Sequence, residues 1–160
     1  MIVDFVSDTG PLISFEKIPN GFATLRRLAR RVFVPLGVKE ELSFGVGEEY
    51  FTHHGIGDFV VVTSTLQCLI ETGELHLGEQ QAIALAAQMG LPLLIEERYG
   101  RTVAKGLGIT VSGPVGLILA GCDQGSLTTE EGRMMVAALF AARRIPRSLL
   151  DSANAQLRGH

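Results

Sequence analysis

The feature that most constrains this chain is an alternation. Short apolar runs rich in Val, Ile, Leu and Phe take turns with stretches whose apolar residues fall at helical spacing. IVDFVS, VFVP, DFVVVTS, LPLLI and ITVSG read as strands. Between them, DTGPLISFEKI reads as a turn running into a helix, and LGVKEELSFG as a short helix with Glu41 in its last turn. GEQQAIALAAQMG has an apolar stripe of Ala82, Ile83, Ala86 and Ala87 and a natural stop at Gly90. ERYGRTVAKGLG and PVGLILAGCDQG continue the pattern, Pro114 suiting a first helical turn. GFATLRRLARR predicts a helix with Phe22, Leu25, Leu28 and Ala29 on one side and Arg26, Arg27, Arg30 and Arg31 on the other. The glycine-rich stretch 45–57, which carries His53 and His54, has no clear period and reads as a loop or frayed helix. Strands alternating with helices imply an α/β fold, a three-layer αβα sandwich around a mostly parallel sheet. From about residue 128 two further helices, divided near Ile145 and Pro146, extend what reads as a single domain over 1–160.

A chain of 160 residues can bury roughly 70% of its unfolded surface, enough for one core. No apolar run approaches the ~20 residues of a membrane span, and the start, MIVDFVSDTGPLI, lacks the basic opening of a secretory signal. The expectation is therefore a cytoplasmic protein. Cys68 and Cys122 stand in no metal-ligand or redox spacing and read as free thiols. A formal charge of −3 argues against a protein whose main task is clamping a phosphate backbone. It leaves room for a nuclease, whose acids lower the total locally.

Carboxylates gather where such a fold places its sites, at the carboxyl ends of parallel strands. Asp8 follows the first strand, and Glu96 follows LPLLI, where the chain passes from core to charge within one residue. Glu79 begins a helix leading into that strand, and Glu41 ends a short one. Four acids in one crevice repel one another unless cations share them, and Mg2+ or Mn2+ suits carboxylate oxygen. Each acid also has an ordinary structural role open to it: Asp8 as a helix cap, Glu79 and Glu96 as first-turn acids, Glu41 as a solvated helix residue. Spacing alone goes no further than an α/β domain with an acidic edge.

In order along the chain, DTGPLI at 8–13, VPLGVKEEL at 34–42, GEQQAIALA at 78–86, LLIEERYGR at 93–101 and SGPVGLIL at 112–119 resemble the motifs of the PIN-domain family. That family comprises metal-dependent ribonucleases and includes the toxins of many toxin-antitoxin pairs. The resemblance implies that Asp8, Glu41, Glu79 and Glu96 are the metal-binding, catalytic acids, gathered at one end of a parallel sheet. It further implies an RNA substrate, Mg2+ or Mn2+ as cofactor, a homodimer, and an antitoxin that covers the crevice. Two departures stand out: Glu96 replaces the usual aspartate, moving the carboxylate by one methylene, and Gly10 replaces the commoner serine.

Arg98 and Arg101 are the candidates for substrate phosphate, since a guanidinium offers paired donors, and Thr9 for a hydrogen bond to metal-bound water. His53 and His54 read as a surface pair, His76 as part of the turn before Glu79, the arginine face as solvated, and Met134, Met135, Leu139 and Phe140 as core or dimer interface. Competing readings are a degenerate PIN-like module that binds RNA or protein without cutting, and another magnesium phosphoesterase. A Rossmann domain is disfavoured because no G-x-G-x-x-G follows the first strand.

Overall fold

The computed structural model describes residues 2–46, 49–65 and 74–159. Its sheet contains β1 (Val3–Ser7), β2 (Ala29–Val34), β3 (Val60–Val62), β4 (Leu93–Leu94) and β5 (Val111–Ser112). They lie in the order β3-β2-β1-β4-β5, with every neighbouring pair parallel. The helices are α1 (Thr9–Lys17), α2 (Gly21–Leu28), α3 (Leu36–Ser43), α4 (Tyr50–His53), α5 (Leu77–Met89), α6 (Arg98–Gly106), α7 (Pro114–Asp123), α8 (Thr129–Ala141) and α9 (Arg147–Leu157). They complete the expected three-layer αβα sandwich. Consecutive burial of Asp4, Phe5, Val6 and Ser7 in β1 requires cover on both faces, as a central parallel strand demands.

The order of strands decides where a site can form. From β1 the chain winds outward through β2 to β3, then returns across β1 to build β4 and β5 on the other side. The crossing point therefore lies between β1 and β4, where crossover connections leave in opposite directions and open a crevice beyond the strand ends. Register pairs Val6 with Leu93 and Ser7 with Leu94, and the Asp8 backbone N–H donates to the Leu94 carbonyl at 2.9 Å. Asp8 and Glu96 thus emerge side by side from the two strands flanking that crevice. Leu93, Leu94 and Ile95 are completely buried, each contributing about 2 kcal/mol to the core. They anchor the point from which Glu96 turns outward.

Two expectations need correction. The helix expected through Arg31 stops at Leu28, because Ala29 has turned to extended backbone (φ −135°) and pairs with Val3. Arg30 and Arg31 consequently lie on β2, and there is no four-arginine helix face. All four cations hold carboxylates: Arg26 with Asp58 at 2.6 Å, Arg27 with Glu131 at 2.6 Å, and Arg30 and Arg31 with Asp4 at 2.7 and 3.5 Å. Within 45–57 the structure forms α4, and His54 is packed against Tyr50 and Phe22 with its Nε2 3.2 Å from Glu16. It is not a free surface histidine. Met135 and Leu139 are core, whereas Met134 is 67% exposed. Cys122 is a free thiol, and Cys68 lies outside the described residues. Among the described residues no helix is long and apolar enough to cross a membrane.

Candidate metal centre

A cleft of about 610 Å³ opens at the crossing point, lined by Asp8, Thr9, Gly10, Glu41, His76, Leu77, Glu79, Glu96 and Glu97. All four acids singled out in the sequence therefore face one space, although they come from four separate stretches of chain. Glu41 and Glu79 arrive through the packing of α3 on α5. At that crossing the Glu41 carboxylate lies against Gly78, where an added Cβ would sit 2.5 Å from Glu41 Oε1. The glycine of GEQQ is thus the space that lets a carboxylate from a neighbouring helix reach the cleft.

The four acids are held differently. Glu79, at 9% exposure, accepts a 3.1 Å hydrogen bond from the His76 backbone N–H, which closes the first turn of α5. Its structural role is therefore real and coexists with its place in the cleft. Glu41 is exposed and accepts a 2.5 Å hydrogen bond from the Thr9 hydroxyl. Glu96 is held at both oxygens, by the Ser14 hydroxyl on Oε1 and by Arg144 Nη2 at 2.8 Å on Oε2. Asp8 is the exception. It stands at the N-cap position of α1 without making a side-chain cap bond, it is 6% exposed, and its Oδ1 has no hydrogen-bond partner.

A buried carboxylate oxygen without a donor is costly. Burial pushes the Asp8 pKa up to about 7, opposed by the adjacent Thr9 N–H and reinforced by the charges of Glu79, Glu41 and Glu96. Helix capping does not explain it, and neither does an ion pair. An all-oxygen donor set around an unsatisfied buried carboxylate fits a hard divalent cation, which would supply the missing partner and offset the mutual repulsion. As arranged, no three His, Cys, Asp or Glu side chains among the described residues converge at ligand spacing. Glu41 and Glu96 in particular are turned to Thr9 and Arg144. Closing on an ion therefore calls for rotation of the exposed Glu41, while Asp8 and Glu79 stay where packing holds them and Glu96 stays on Ser14 and Arg144.

The family description "DUF3368: PIN domain" matches residues 4–157, nearly the whole chain. The chain belongs to the PIN-domain family. Members of that family are commonly nucleases that depend on divalent metal. Among solved structures, a PilT N-terminus domain protein from the hyperthermophilic archaeon Sulfolobus solfataricus P2 superposes with a TM-score of 0.56 at 17% identity, over 79% of this chain and 95% of that one. At that identity the likeness concerns the fold. No curated protein matches.

The substrate candidates fall in different places on this PIN domain. Thr9 lines the cleft and bonds Glu41. Arg98, the first residue of α6, is exposed and stands outside the cleft lining. Arg101 is half-buried; its Nη1 donates to the Ile95 carbonyl at 2.9 Å, and it lines a neighbouring recess of about 560 Å³ that shares Glu96 with the cleft. Glu97 caps α6, accepting from the Tyr99 and Gly100 N–H groups at 2.9 and 2.5 Å. Sequence reasoning missed Ser14 and Arg144. Ser14 sits in a helix that reads as ordinary core, and Arg144 lies 48 residues beyond the glutamate it binds, with no local pattern to connect them.

Proposed function

We propose that this PIN domain is a metal-dependent ribonuclease that hydrolyses RNA phosphodiester bonds, with Mg2+ or Mn2+ held by Asp8, Glu79, Glu41 and Glu96. The observation that carries the reading is Asp8: a buried carboxylate, unpartnered at Oδ1, facing three further acids at the crossing point of a parallel sheet. Bound metal would supply an activated water and offset charge on the phosphate. Asp8 and Glu79 give a rigid, largely desolvated floor, Glu96 a wall held by Ser14 and Arg144, and Glu41 an adjustable one. Thr9 steadies Glu41 and offers its hydroxyl beside the reacting centre. Arg101, in the recess next to Glu96, would meet an adjoining phosphate, and Arg98 the strand outside the cleft. The setting supported by resemblance to the toxin-like branch is a homodimeric toxin whose antitoxin covers the cleft.

A second reading has its own observation. Glu96 is engaged at both oxygens by Ser14 and Arg144, as expected of a module that binds RNA or protein without cutting it. Cleavage of labelled single-stranded and structured RNAs with Mn2+, with Mg2+ and with chelator separates the two. Metal-dependent cutting that disappears in Asp8→Asn is the expected result. Folded protein that cuts no RNA in any lane supports the second reading, and hydrolysis of small phosphate esters with RNA left intact points to another phosphoesterase.

A further inference from the structure

Glu96 is the member of the acidic set that departs from the family's usual residue, and it is also the one most tightly bound by its surroundings. Its Oε1 accepts from the Ser14 hydroxyl, and its Oε2 accepts from Arg144 Nη2 at 2.8 Å. Arg144 Nε donates to Ser14 Oγ at 2.9 Å, closing a ring of three hydrogen bonds, and Nη2 also donates to the Gly10 carbonyl at 3.1 Å. A carboxylate fixed at both oxygens has little freedom about its last torsion. Each oxygen nevertheless keeps a lone pair that this ring does not use.

Gly10 completes the arrangement. A Cβ at this position would lie 2.6 Å from Glu96 Oε2 and 3.7 Å from Arg144 Nη2. The first distance is too short for contact, so any side chain at residue 10 displaces the glutamate carboxylate. An aspartate at residue 96 would end one methylene earlier and leave that space open. The two departures, Gly10 and Glu96, therefore form one coupled change: the longer acid occupies volume that the missing side chain vacates.

Arg144 is delivered by a defined turn. At the end of α8 the Arg144 N–H donates to the Leu139 carbonyl and the Arg143 N–H to the Phe140 carbonyl, both at 2.9 Å, with Arg143 at φ 59°. This is the Schellman closure, here built on a non-glycine residue in the left-handed region.

We propose that Arg144 and Ser14 are positioning residues that set the Glu96 carboxylate at the metal cleft, and that Gly10 is the space that lets a glutamate serve there. The proposal rests on the metal-binding reading given above. A positioning role and a plain counter-charge predict opposite signs. Removing a cation from beside four acids tightens metal binding if charge is all that Arg144 contributes, and weakens it if Arg144 holds a ligand in place.

The test is calorimetric titration of Mn2+ into wild type, Arg144→Gln, Arg144→Lys, Gly10→Ala, Glu96→Asp and the Gly10→Ala/Glu96→Asp double variant, with melting curves recorded with and without Mn2+. Arg144→Gln is expected to weaken Mn2+ binding about tenfold, the scale for residues that orient a ligand. Arg144→Lys is expected to recover part of that loss. Gly10→Ala is expected to weaken binding about tenfold beside Glu96 but less than about twofold in the Glu96→Asp background, a coupling that distant sites do not show. Tighter binding in Arg144→Gln, an unchanged affinity with a lowered melting point alone, or strictly additive Gly10 and Glu96 effects would each overturn the proposal. Should Arg144→Gln fail to fold, the Gly10 and Glu96 cycle decides alone. A wild type that binds no Mn2+ overturns the metal reading itself, and the positioning role with it.

Discussion

Asp4 lies within β1 and Asp8 just beyond its end, and they are almost equally hidden, at 8% and 6% exposure. Their chemistry is opposite. Asp4, toward the amino end of β1, receives Arg30 Nε at 3.0 Å and Arg30 Nη2 at 2.7 Å, with Arg31 at 3.5 Å. The hydrogen-bonded Arg30 guanidinium holds its carboxyl below the usual range against the effect of burial. Asp8, at the carboxyl end, has an oxygen with no donor and a pKa pushed up to about 7 by burial and three neighbouring acids. The fold has arginines available for buried acids and supplies them at one end of the strand. At the other end a guanidinium that reaches the Gly10 carbonyl, Arg144, is directed to Glu96 instead. Asp8 is thus left without a donor at Oδ1, as the proposed metal-binding role requires.

The largest effect expected from this contrast is on stability as a function of pH. In the unfolded chain Asp8 loses its proton near 3.8, and in the folded protein near 7. A raised carboxyl pKa means that the folded state holds the proton more firmly. The stabilisation is complete below pH 3.8 and is lost as pH rises through 7, amounting to roughly 4 kcal/mol over that window. Denaturant titrations in chelator from pH 4 to 8 should therefore show wild type losing stability relative to Asp8→Asn as pH rises. Above pH 7 the variant should be the more stable protein, although it has lost the proposed metal ligand. Mn2+ should restore stability to wild type and leave the variant unchanged. Parallel pH profiles for the two proteins would end the claim that Asp8 is an unsatisfied acid.

Asp4→Asn should move the other way and by less. Breaking the paired bonds to Arg30 costs little, because the guanidinium side of the pair stands in solvent that screens it. Asp4 has a lowered pKa, so its stabilisation is present above the unfolded value and disappears as pH falls through the folded one. The loss in Asp4→Asn should accordingly be seen at neutral pH and fade in acid, with Mn2+ affinity untouched. A change in Mn2+ affinity would show that the two ends of β1 are not independent.

How much of this was readable in the residues follows the range of the forces involved. Strand and helix alternation, the Gly90 stop and the positions of Asp8 and Glu96 beyond apolar runs are local patterns, and each matches the structure. The extent of α2 escapes the local pattern because Ala29 obeys its pairing with Val3 rather than the helical spacing of its neighbours. Gly10 was visible as a missing hydroxyl; its actual consequence, room for Glu96, exists only once residues 86 positions apart are brought together. Ser14 and Arg144 left no local trace at all. Contacts of that kind arise from the way α8 ends and where α1 lies beneath it, which no window of sequence contains.

The smallest expected effect concerns how firmly the arginine that binds Glu96 is held. Arg143 adopts φ 59°, a conformation disfavoured for residues with a Cβ, and the following residue is Arg144. Arg143→Gly removes that strain but adds freedom to the unfolded chain, so the gain should be about 0.5–1 kcal/mol by denaturant titration. The Schellman bonds are made by backbone groups and should persist in the variant. Mn2+ affinity should therefore stay at its wild-type value if the turn merely delivers Arg144. Should affinity fall while stability rises, the strained residue is itself setting the angle at which Arg144 meets Glu96, and the contrast between the two ends of β1 reaches as far as the turn after α8.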